Sequence, residues 1–89
     1  MHEMSIAGSI LEAVRTEARR FPAGHVQKVA IRIGGRAGVD PEAVRFCFDV
    51  LVQDSELEPL TLVIDFREQG EDLDLAYLEV EDGAAAART

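Results

Sequence analysis

Two short runs of alternating apolar residues flank a helix start, and this arrangement restricts the fold more than any other feature of the chain. Val29, Ile31 and Ile33 alternate with Lys28, Ala30 and Arg32, the period of a strand with one buried face. Leu60, Leu62, Ile64 and Phe66 repeat the pattern. Between them stands Asp40-Pro41-Glu42. Asp40 suits the N-cap, Pro41 the first helical position, and Glu42 complements the helix dipole. Val44, Cys47, Phe48 and Leu51 follow at helical spacing as a buried stripe, and Phe46 and Val50 widen the apolar face. Strands joined through such a helix run parallel, with a right-handed crossover.

The flanking segments complete the pattern. Residues 5–20 read as an amphipathic helix, with Ile6, Ala7, Ile10, Leu11, Val14 and Ala18 on one stripe. Phe21-Pro22-Ala23-Gly24 ends it, because proline lacks a donor and glycine tolerates a left-handed cap. Residues 73–81 read as a third strand whose phase changes midway: Leu73 and Leu75 share one parity, Leu78 and Val80 the other. A bulge near Ala76-Tyr77 reconciles the halves. The polar turn Glu68–Asp72 predicts a hairpin between the last two strands. The expected fold class is therefore α/β: a small mixed three-stranded sheet flanked by two helices, in the order α-β-α-β-β. Residues 1–82 form one domain in this reading, and the alanine-rich residues 83–89 a flexible tail.

Composition narrows the function. The chain has 89 residues and a net charge of −8, whereas a nucleic-acid partner requires clustered Lys and Arg. No apolar run approaches the roughly 20 residues of a membrane span. The start lacks the basic and long apolar regions of a secretory signal, so the expected location is cytoplasmic. A single cysteine, Cys47, excludes an internal disulfide and a Cys-rich zinc site. On its apolar stripe Cys47 reads as a packing residue. Gly34-Gly35-Arg36-Ala37-Gly38 lies between strand and helix, but its spacing is not that of a phosphate loop and acidic Asp40 and Glu42 follow. It reads as a tight turn. His25 reads as a loop histidine just before the first strand.

The candidate site is the start of the chain. The Met1 amine, the His2 imidazole and the Glu3 carboxylate lie in one short peptide. With the intervening backbone amides they form a nitrogen-and-oxygen set suited to Ni(II) or Cu(II). Consecutive ligands lower the entropic cost of closing chelate rings, and amide deprotonation makes affinity rise with pH.

Met1–Val14 and Gly38-Val39-Asp40-Pro41-Glu42-Ala43-Val44-Arg45-Phe46 resemble the HypA/HybF family of hydrogenase-maturation nickel metallochaperones. Leu78-Glu79-Val80-Glu81 resembles that family's closing strand. The resemblance implies nickel held by Met1, His2 and Glu3, with His2 essential, and no catalytic role. It implies delivery of Ni(II) to the large subunit of nickel-iron hydrogenase, a nickel-handling GTPase as a further partner, and in some members service to urease. The family also carries a zinc module with two Cys-x-x-Cys pairs between its last two strands. This chain has no such pairs, so no zinc is expected. Gly35 stands where the family usually has an acidic residue. The alternative reading is an assembly protein that keeps the fold and docks on a hydrogenase subunit without carrying metal.

Overall fold

The computed structural model describes residues 2–82. Met1 and the expected tail at residues 83–89 lie outside the described residues. The element order is α1 (Glu3–Ala18), β1 (Gly24–Gly34), α2 (Pro41–Val52), β2 (Thr61–Arg67) and β3 (Leu73–Asp82). This is the anticipated α-β-α-β-β order. Helix α1 begins two residues earlier than its apolar stripe predicts, because Glu3 and Met4 join it ahead of the first apolar contact, with His2 as the N-cap. Arg19 and Arg20 fall in the turn beyond it.

One expectation is overturned. The last two strands do not form a hairpin. The sheet order is β2-β1-β3, with β1 at the centre. Strand β2 runs parallel to β1, from Lys28 opposite Thr61 to Gly34 opposite Arg67. Strand β3 lies on the other side of β1 and runs antiparallel to it. Turn propensity alone favours a local pairing, but packing favours β1, and exposed charge pairs add only a little. Centring the longest strand sets Lys28 against Glu79 and Arg32 against Asp74, each pair at 3.6 Å. It also gives the apolar row of β1 a neighbour on both sides.

The chain reaches β3 by passing over the end of β1. The Gly34 and Gly35 amides donate to the carbonyls of Asp72 and Arg67 at 2.7 and 2.6 Å, and the Arg36 amide to Gly70 at 2.9 Å. A Cβ on Gly34 would collide with the Gly70 backbone, and one on Gly35 with that of Glu68. Close approach, rather than an unusual dihedral, thus demands glycine at both positions. Within Gly34–Gly38 a left-handed φ occurs at Gly38, 73°. The bulge appears where the phase change required it. Ala30 faces Tyr77 and Ile31 faces Leu75, leaving Ala76 as the extra residue. Gln27 is the extra residue in a second irregularity, on β1.

Both helices pack on one face of the sheet. Val29, Ile31 and Ile33 are buried there with Ala7, Leu11 and Val14 of α1 and Val44, Phe48 and Val52 of α2. Cys47 and Leu51 are half-buried at the edge of this core, while Phe46 is 68% exposed. The opposite face of the sheet carries the Lys28–Glu79 and Arg32–Asp74 pairs in solvent. Among the described residues, no helix is long and apolar enough to cross a membrane.

Candidate metal centre

Local sequence explains how the chain's start is presented. Residue His2 occupies the N-cap of α1, in extended conformation, and its carbonyl accepts the first helical bond from the Ile6 amide at 3.1 Å. Its imidazole makes no capping bond and is exposed. The first N–H groups of any helix have no intrahelical acceptor. The amides of His2 and Glu3 are among them, so binding a metal through these nitrogens breaks no helical hydrogen bond.

Glu3 is the first residue of α1, where its charge suits the helix dipole. Its carboxylate accepts from the Asp40 amide at 3.4 Å. Asp40 is itself the N-cap of α2, and its Oδ1 accepts from the Glu42 amide at 3.0 Å. The two helices therefore start side by side. They also run the same way. Near the far end of α1, Arg15 grips Glu56, just beyond α2, at 2.7 Å, and also bonds Glu12 at 2.9 Å. The guanidinium is held more firmly protonated by its hydrogen bonds to Glu56 and then Glu12. The same bond to Arg15, with a backbone hydrogen bond, draws the Glu56 carboxyl below its ordinary value.

Because α2 follows β1 after a short loop, the paired helix starts lie toward the C-terminal ends of parallel strands β1 and β2. Such crevices are the usual place for ligands in open α/β sheets. The structure brings His2, Glu3 and Asp40 into this neighbourhood and leaves His25 out of it. Contrary to the sequence reading, His25 lies inside β1, opposite Glu81, with its Nε2 3.1 Å from the Pro59 carbonyl oxygen. From there to Gly34 is about 30 Å of extended strand. Cys47 is half-buried along α2. No group of three or more His, Cys, Asp or Glu side chains that could hold a metal occurs among the described residues. A metal at His2 and Glu3 therefore has no third His, Cys, Asp or Glu side chain beside it among the described residues. The Glu3–Asp40 contact was not legible in the sequence, since residues 37 positions apart meet only when the helices pack in parallel.

Residues 1–80 match the family model for hydrogenase/urease nickel incorporation, metallochaperone, hypA. The chain belongs to the HypA family. It is 54% identical over 48 residues to the hydrogenase maturation factor HypA of Chlorobium limicola, an alignment covering 54% of this chain and 41% of that protein. With the HypA of Chlorobium luteolum it shares 46% identity over 65 residues, covering 73% of this chain and 56% of the relative. With that of Dechloromonas aromatica the identity is 41% over 64 residues, covering 72% and 57%. The chain spans about half the length of the curated relatives it matches.

Proposed function

We propose that this protein is a nickel-binding metallochaperone that takes part in nickel-iron hydrogenase maturation, with Met1, His2 and Glu3 as its metal ligands. The observation that carries the reading is the free N-cap of α1. In a chain of the HypA family, an exposed imidazole stands beside two amides that have no acceptor within the helix. The ion is cargo, so the protein catalyses no reaction in this reading. Glu3 steadies the site against α2 through the Asp40 amide. The positive end of the α1 dipole opposes a cation. Deprotonated amides and the carboxylates of Glu3, Asp40 and Glu42 offset it, and affinity rises with pH. The hydrogenase large subunit is the proposed recipient and a nickel-handling GTPase the proposed co-worker, acting in the cytoplasm. The family's description also names urease.

The decisive experiment compares the untagged chain with one carrying an N-terminal extension, which turns the Met1 amine into an amide. Isothermal titration should show one Ni(II) per untagged chain and much weaker binding to the extended chain. Equal affinity would remove the amine from the ligand set. Elemental analysis should show no stoichiometric zinc, since Cys47, His2 and His25 do not converge and a structural zinc site wants four ligands. Chelator-resistant zinc would refute that part of the reading.

A further inference from the structure

The two-helix layer does not cover the whole sheet. Helix α1 packs chiefly on α2 and β1 and touches β3 little. Strand β3 is an edge strand. Its inward row, Leu73, Leu75, Leu78 and Val80, is partly exposed, Leu73 to 37%. An apolar groove runs between this row and Ile6, Ile10 and Ala13 of α1, and continues past Phe21. Its floor is an apolar strand and one side is an open strand edge.

The outward row of β3 is acidic: Asp74, Glu79 and Glu81 alternate with the groove residues, with Tyr77 among them. The strand already accepted on the other side displays the matching code. In β1, Lys28, Ala30 and Arg32 point outward and Val29, Ile31 and Ile33 inward, and the cations pair with Glu79 and Asp74. At the opposite edge of the sheet, the Arg45 guanidinium donates to the Leu62 carbonyl at 2.7 Å. Among the described residues, the β3 edge is unpaired and has an adjoining apolar groove.

We infer that the β3 edge and the α1–β3 groove receive an extended segment of a partner protein, with alternating apolar and basic residues, added as a fourth strand. Strand addition supplies affinity through main-chain hydrogen bonds and specificity through alternate side chains. Apolar residues of the incoming strand cover Leu75, Leu78 and the flank of α1. Its basic residues meet Asp74, Glu79 and Glu81 on the open face. A second copy pairing through its own β3 is disfavoured, because acids would face acids on chains of net charge −8 each. The bulge at Ala76 divides the edge, so the segment engages the Tyr77–Glu81 half most regularly.

The test uses the full chain, isotopically labelled for NMR, and three capped octapeptides: alternating Lys-Val, alternating Glu-Val, and Lys-Val with N-methyl groups along one backbone edge. The Lys-Val peptide should shift amides of residues 73–81 and those of Ile6, Ile10 and Ala13. It should bind about tenfold tighter than the Glu-Val peptide. N-methylation should abolish binding, and Glu81→Lys should weaken it, with shifts in the free protein confined to its neighbours and to Gln27, whose side-chain amide donates to Glu81 at 2.9 Å. The inference is overturned if the shifts fall on α2 or β2, or if both charge patterns bind equally. It is also overturned if sedimentation shows a dimer that already buries residues 73–81.

Discussion

The two helices start side by side and are capped in opposite ways. At α2, Asp40 places its carboxylate on the Glu42 amide at 3.0 Å, with Pro41 behind it. At α1, His2 holds the equivalent position and its side chain caps nothing. Asp is among the best N-cap residues, and losing such a cap costs about 0.5–2 kcal/mol. Helix α1 forgoes that stabilisation. Its start relies on the buried stripe of Ala7, Leu11 and Val14, all at most 4% exposed. The difference teaches that one helix start is secured by its own cap, while the other carries an exposed imidazole that caps nothing.

The comparison breaks most severely if the shared core beneath both helices is removed. Phe48 is fully buried between them and the sheet. Phe48→Ala should cost about 3–5 kcal/mol, a large part of the 5–15 kcal/mol such a domain has. Denaturant unfolding should show a lowered midpoint. Loss confined to one helix by circular dichroism would mean that the two do not share a core.

A second effect separates the two caps by function. His2→Ala should reduce nickel affinity about a hundredfold or more, because loss of even an outer-shell partner of a metal ligand typically costs about 10–100-fold. Its melting temperature should stay at the wild-type value, because the imidazole supports no cap. Metal titration and thermal unfolding on one sample check both halves. A drop in melting temperature without metal would show that His2 stabilises the helix start after all.

Asp40→Ala should lower stability by about 1 kcal/mol, several degrees in melting temperature for a domain of this size. The Asp40 backbone amide still faces Glu3, so nickel affinity should fall far less than in His2→Ala. A loss of nickel binding equal to that of His2→Ala would make the Asp40 carboxylate a ligand rather than a cap.

The converse exchange sharpens the point. His2→Asp should supply the missing cap and raise stability by about 0.5–1 kcal/mol, while removing the imidazole and with it specific nickel binding. No gain in stability would mean that the N-cap geometry of α1 cannot use a short acceptor.

The smallest effect lies at the opposite ends of the helices. The hydrogen bond to Arg15 lowers the Glu56 carboxyl from its ordinary value of 4.5. Its contribution is therefore complete above that pH and fades as acid titrates Glu56 through its lowered folded value. Both groups are exposed and solvent screens them. Arg15→Gln should lower stability slightly at neutral pH, by a loss that vanishes as Glu56 is protonated in acid, so the acid limb of a stability–pH curve flattens a little. A marked loss at neutral pH would make the contact more than a surface pair.

Much of this was legible from residues alone. Asp40-Pro41-Glu42 announced α2, the alternating runs announced β1 and β2, and the change of parity between Leu75 and Leu78 located the bulge at Ala76. These are local matters: caps, φ restrictions and side-chain period act within a few residues. The proposed nickel set of Met1, His2 and Glu3 rests on consecutive residues alone. Tertiary structure alone decided what depends on distant partners. It placed β3 beside β1 rather than β2, because flanking the buried row Val29, Ile31 and Ile33 on both sides outweighs the convenience of a short turn. It explained Gly34 and Gly35 by the chain that crosses them. It drew His25 into the sheet, away from the helix starts. It also brought the Glu3 carboxylate to the Asp40 amide, a contact no spacing rule foretells, because it exists only once two helices lie parallel on the same sheet.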